Sequence, residues 1–131
     1  MDKKLILVVE DEDSLSTVIK YELENAGYDV LVESNGSNVM NLMKSKKPAL
    51  VLLDIMIPGL SGLDILQAAM ADPDTKEAKI VVVTTLNSAD RQQEYKTFGA
   101  AGFIDKVNMN LPDILKKIRE VMVTKPSTDI S

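Results

Sequence analysis

Four apolar runs of this chain each end on residues able to do chemistry: LILVVED on Glu10 and Asp11, ALVLLD on Asp54, KIVVVTT on Thr84 and Thr85, and AGFIDK on Lys106. A carboxylate at the lip of a buried run is a candidate nucleophile, and three carboxylates brought together repel unless some are protonated or a cation joins them. Hard oxygen donors with room for water suit Mg²⁺, with Mn²⁺ as a substitute. With the Lys106 ammonium and the Thr84 hydroxyl beside them, such a rim forms a receptor for phosphoryl oxygens around a carboxylate. Taken singly, each residue has a plainer reading. Asp54 opens the turn IPG, Asp11, Glu12 and Asp13 complement a helix N-terminus, Lys106 is a solvated lysine and Thr84 a β-branched strand residue. The signal is the constellation, and it requires elements that bring these run ends to one place.

Strands and helices alternate strictly along the chain. Residues 5–10 read as the first strand, followed by a helix from Ser14 to Ala26 with Leu15, Val18, Ile19 and Leu23 inward and Gly27 as its stop. YDVLVE alternates apolar and polar residues, as an edge strand does. ALVLLD and KIVVVT are continuously apolar, as expected of parallel strands covered on both faces. A second helix is predicted over Ser37 to Lys46, burying Val39, Leu42 and Met43 and ending before Pro48. A third carries Leu63, Leu66 and Met70 and stops near Asp72 and Pro73. The fifth opens at Asn110 with Pro112 and Asp113 in its first turn, and Leu111, Ile114, Leu115, Ile118 and Met122 recur along it. The fourth, Ala89 to Phe98, offers chiefly Tyr95 and Phe98 for packing, so it is weakly anchored. The fold expected is α/β: a doubly wound, five-stranded parallel sheet of order 2-1-3-4-5 flanked by five helices, of the flavodoxin-like kind. Its topological switch lies between strands one and three, where Glu10, Asp11 and Asp54 end their runs.

A length of 131 residues suits one domain, assigned here to residues 1–124 with a polar tail, KPSTDIS, at 125–131. The absence of histidine and cysteine excludes imidazole and thiolate chemistry, including any role as a phosphohistidine donor. A formal charge of −5 with interspersed signs gives no cationic stripe for nucleic acid or an anionic membrane. No run is long enough to span a bilayer, and the N-terminal apolar run meets acids too soon for a signal peptide. A cytoplasmic location is the expectation.

From about Lys4 to Val123 these residues resemble the receiver domain of two-component response regulators, the chemotaxis-regulator-like fold. The acidic residues after strand one are Glu10 and Asp11, and the phosphoacceptor motif is DIMIPGLSG, with Pro58 and Gly62 at the family's spacing from Asp54. The strand-four threonine is Thr84, and an aromatic, Phe103, stands three residues before Lys106. The resemblance implies that Asp54 accepts a phosphoryl group from the phosphohistidine of a sensor histidine kinase or histidine phosphotransfer protein, or from a small phosphodonor. It implies Mg²⁺ held by Glu10, Asp11, Asp54 and the Met56 main-chain carbonyl. Thr84 and Phe103 act as the switch, reshaping a face of helix four, strand five and helix five that meets a downstream protein or a second copy of the chain. Such a protein assists its own phosphorylation and dephosphorylation and is not a metabolic enzyme.

Four departures from the family pattern bear on the site. Glu10 replaces the usual aspartate, and its extra methylene allows a water-mediated contact with the ion. Val107 stands where the family has proline. A cis peptide there would cost about 3 kcal/mol, so a trans bond or an altered loop is expected. Phe103 lacks a tyrosine's hydroxyl, leaving packing alone for its movement. Thr85 is bulkier than the usual small residue, and Met56 and Leu86 add apolar bulk, which predicts a long-lived phosphoryl state. Competing functions are a receiver fold working as an interaction module without phosphorylation, an aspartyl-phosphate phosphatase, and a flavodoxin-like nucleotide binder. The phosphatase lacks its second acid, since Met56 holds that place. The nucleotide binder meets the anionic loop EDEDS, of the wrong sign for phosphate.

Overall fold

The computed structural model describes residues 3–85, 89–107 and 110–123; Leu86 and the tail at 125–131 lie outside them. The elements run β1 (Leu5–Val9), α1 (Asp13–Asn25), β2 (Asp29–Glu33), a 3₁₀ turn (Gly36–Asn38), α2 (Val39–Lys46), β3 (Leu50–Asp54), α3 (Gly62–Ala71), β4 (Lys79–Thr84), α4 (Ala89–Thr97), β5 (Gly102–Asp105) and α5 (Leu111–Val123). All strand pairings are parallel and the order is β2-β1-β3-β4-β5. The sheet is the five-stranded parallel one expected from the sequence.

Alternate residues of each strand face opposite layers, which divides the core in two. Leu7, Val9, Val51, Leu53, Ile80 and Val82 pack beneath α2, α3 and α4, through Val39, Met43, Ile65, Leu66 and Tyr95. Ile6, Val8, Leu50, Leu52, Val81 and Val83 pack beneath α1 and α5, through Ile19, Leu23, Ile114 and Ile118. Each such side chain contributes about 1.5–3 kcal/mol relative to exposure, and every residue of β3, Asp54 included, is buried. That double coverage explains why β3 and β4 read as continuous apolar runs while β2, at the edge, alternates.

Local chemistry sets the helix ends. Ser61 Oγ accepts from the Asp64 N–H at 3.2 Å and Asn110 Oδ1 from the Asp113 N–H at 2.9 Å, so both helices start on side-chain caps. α2 stops at Lys47, left-handed at φ 49°, whose N–H reaches Met43 O. The second helix therefore begins two residues later than expected, its first turn being 3₁₀. Val18 is a correction: it is 44% exposed, because the buried stripe of α1 is Ser16, Ile19 and Leu23, and a neighbour of Ile19 lies about 100° round the helix. Among the described residues no helix is long and apolar enough to cross a membrane.

Candidate functional site

The carboxyl end of the central strand carries Asp54, only 2% exposed. Its position follows from the ladder: Asp54 pairs with Val83 of β4, and Ile55 N–H continues to Val83 O at 3.2 Å. The chain then turns away through IPGLSG. Gly59 lies at φ 91°, a region costly for other residues. At Gly62 a Cβ would sit 2.5 Å from the Ile55 Cα and 2.9 Å from the Asp54 carbonyl, so only glycine lets α3 begin against the strand end. The two glycines fix the loop that shapes one wall of the site.

Glu10 follows β1 directly, which borders β3, and Asp11 comes next. Carboxylate oxygens of Glu10, Asp11 and Asp54 lie within 4.8 Å of one another, with Glu10 and Asp54 buried and Asp11 exposed. Lys106 follows β5 and crosses the end of β4. Its Nζ donates to Asp54 Oδ2 at 2.8 Å and to the Glu10 carboxylate at 3.2 Å. The other Asp54 oxygen accepts the Met56 N–H at 2.9 Å, and Glu10 accepts the Glu12 N–H at 3.1 Å. Thr84, the last residue of β4, is buried, and its carbonyl accepts the Lys106 N–H at 2.9 Å.

The electrostatics follow from this packing. Burial pushes the Glu10 carboxyl above its ordinary range; the Glu12 N–H works against that, the Asp54 charge adds to it, and Lys106 offsets only part. For Lys106, desolvation is the largest influence and acts downward. The hydrogen bonds and charges of Asp54 and then Glu10 together outweigh it and hold the ammonium above the usual lysine range. Lys106 is thus a firmly charged cation between two carboxylates.

Among the residues singled out in the sequence, Glu10, Asp11, Asp54 and Lys106 come together in direct geometry. The Lys106–Val107 peptide is trans, and the lysine still reaches Asp54. Phe103 is half-buried and lines, with Thr84, Gln92, Ile104 and Asp105, a pocket of about 250 Å³ between α4 and β5. Met56, two residues past Asp54, is 65% exposed at the rim. Sequence reasoning missed the main-chain donors of Glu12 and Met56. It also missed Asp105, whose Oδ1 accepts the Val107 N–H at 3.0 Å. An aspartate two residues before a free N–H in a turn is a recognisable signal for such a bond.

The family model of the response regulator receiver domain matches residues 6–119. The transcriptional regulatory protein YkoG of Bacillus subtilis is 32% identical over 122 residues, covering 93% of this chain and 52% of its own length. The phosphate regulon regulatory protein PhoB of Pseudomonas aeruginosa is 33% identical over 103 residues, 79% of this chain and 45% of its own. The chain spans about half the length of these relatives. Two solved structures show the same fold. The BeF3-activated receiver domain of Klebsiella pneumoniae RstA is 29% identical with a TM-score of 0.83, over 92% of this chain and 100% of that one. The non-phosphorylated receiver domain of Leptospira biflexa HemR is 29% identical with a TM-score of 0.85, over 95% and 98%.

Proposed function

The chain belongs to the receiver domain family of response regulators, and on that premise we propose that it is a phosphoacceptor switch in which Asp54 takes a phosphoryl group from the phosphohistidine of a kinase or phosphotransfer protein. One observation carries the reading. Asp54 is a buried carboxylate whose two oxygens are aimed separately, one by the Met56 N–H and one by Lys106, beside two further carboxylates. A carboxylate so oriented has lost its rotational freedom before the reaction, which favours in-line attack. A bond forms between an Asp54 oxygen and phosphorus as the phosphorus–nitrogen bond breaks, and the leaving imidazole nitrogen takes up a proton.

The oxygen-only donor set of Glu10, Asp11 and Asp54 fits Mg²⁺, with Mn²⁺ as a substitute, and the Met56 carbonyl is assigned as a fourth ligand. When bound, the ion neutralises charge on the phosphoryl oxygens. Lys106 stabilises the same charge from the β5 side, where it already meets Asp54. The Thr84 hydroxyl is assigned as donor to a phosphoryl oxygen after transfer. Its movement would admit Phe103 to the pocket of about 250 Å³ that both residues line, shifting α4 and the face it makes with β5 and α5. Receiver domains are signalling switches rather than metabolic enzymes, and that face is where a target protein or a second copy would bind. What the relatives' names say of transcription belongs to those longer proteins.

The test is incubation with Mg²⁺ and acetyl phosphate or beryllofluoride, followed by mass and NMR mapping. Modification at Asp54, abolished in Asp54→Asn, is expected. A wild-type protein that binds Mg²⁺ yet accepts no donor would replace this reading with the interaction module that works without phosphorylation.

A further inference from the structure

Val107 is 71% exposed, so its side chain gives the loop that bears Lys106 no apolar anchor. Among the described residues, two hydrogen bonds bracket the lysine. Lys106 N–H donates to Thr84 O at 2.9 Å, extending the β4–β5 ladder past the Thr84–Asp105 pair. Val107 N–H then donates to Asp105 Oδ1 at 3.0 Å, closing a turn with Lys106 as its central residue. A lysine side chain has four rotatable bonds and many rotamers to lose. Its ammonium can meet Asp54 at 2.8 Å and Glu10 at 3.2 Å only if its Cα is placed and its direction set.

We propose that Asp105 is a positioning residue for phosphoryl transfer: its carboxylate, by accepting the Val107 N–H, fixes the turn that aims Lys106 at Asp54. This rests on the function proposed above for Asp54. Through the Val107 N–H that its Oδ1 accepts, Asp105 acts on the backbone of the two residues that follow it. The contribution proposed is an acceptor at the right place rather than a charge. Asparagine keeps that acceptor at the same distance from the main chain, whereas alanine removes it.

The experiment compares wild type, Asp105→Asn and Asp105→Ala. The first readout is the rate of Asp54 phosphorylation by acetyl phosphate at saturating Mg²⁺; the second is NMR of the unphosphorylated protein. A hydrogen bond of this kind contributes about 0.5–1.5 kcal/mol, so Asp105→Ala is expected to slow phosphorylation about 3–10-fold, with Mg²⁺ affinity near wild type and urea stability lowered by no more than that one bond. Asp105→Asn is expected within about twofold of wild type. In the spectra, Val107 amide protection and the slowly exchanging Lys106 ammonium signal are expected to persist in Asp105→Asn and to vanish in Asp105→Ala. An Asp105→Asn variant as slow as Asp105→Ala would assign the effect to charge and overturn the proposal, as would an Asp105→Ala variant at the wild-type rate. If no donor phosphorylates the wild type, the function of Asp54 fails on its own, and the two NMR signals still decide whether Asp105 aims Lys106.

Discussion

Tyr95→Phe is expected to make this protein more stable. Tyr95 is 1% exposed, and its hydroxyl is buried without a hydrogen-bond partner among the described residues. Taking a hydroxyl out of water with no new partner costs about 1–3 kcal/mol. The void left by one oxygen costs a few tenths of a kcal/mol at about 24 cal/mol per Å³. The ring itself packs in the layer under α2, α3 and α4 and is unchanged by the substitution. The net gain is thus about 1 kcal/mol, which for a domain of this size raises Tm by about 3–5 °C. Urea unfolding followed by circular dichroism, with an unchanged m-value, measures it. A loss of 1 kcal/mol or more would refute the reasoning, since it would show that the hydroxyl is bonded in the folded protein.

The same substitution bears on the switch. Tyr95 is the one fully buried residue among those of α4 whose side chains are described. If displacement of α4 brings the hydroxyl to water, the phenylalanine variant loses that relief. Beryllofluoride affinity should then fall by about the fivefold that 1 kcal/mol represents.

Lys106→Met removes the cation shared by two buried carboxylates, and about 1–3 kcal/mol of stability should go with it; Mg²⁺ should restore more stability to the variant than it adds to the wild type, read by thermal melts with and without chelator. Asp11 is exposed and holds no part of the core. In Asp11→Ala the metal-free melt should stay near wild type, while the roughly 2.7 kcal/mol expected from Mg²⁺ at a hundredfold its dissociation constant should largely disappear; an undiminished Mg²⁺ response would remove Asp11 from the ligand set. Met56→Asn replaces an exposed apolar side chain beside Asp54 with a polar amide and should quicken acyl phosphate decay several-fold, so equal decay in the two proteins would end the idea that Met56 shields the phosphoryl group.

How far the sequence reveals this molecule depends on the kind of force involved. The order of strands and the buried faces of β3 and β4 are legible because hydrophobic periodicity is a property of the chain itself. The convergence of Glu10, Asp11, Asp54 and Lys106 follows once that order is drawn, since parallel strands deliver their ends to one edge. Val18 is exposed although apolar, because a helix stripe is narrower than the set of apolar residues that border it. The turn at Asp105 is not legible in the periodicity, because it depends on an N–H that valine supplies at 107 and on the direction of one carboxylate. The orphan hydroxyl of Tyr95 could not be read at all: in the sequence, an anchor with a partner and an anchor without one look the same.

The distribution of stiffness around Asp54 says where a charge placed on it must be felt. β1, β3 and β4 carry the carboxylates and Thr84 on strands buried in close-packed apolar layers, and such interiors change arrangement rather than deform. The β5 loop is pinned by the bonds of Lys106 and Val107. On the remaining side, among the described residues, α4 meets the sheet through one fully buried side chain whose hydroxyl has no partner, next to a pocket of about 250 Å³ that reaches Thr84 and Phe103. A phosphoryl group on Asp54 adds charge and volume among rigid neighbours. The arrangement that can change at least cost is the pocket with the helix over it, because room already exists there and the contact given up includes an unsatisfied one. On the function proposed for Asp54, the polar character of α4, visible in the sequence as a helix with few apolar residues, serves the site rather than marking a defect of the fold.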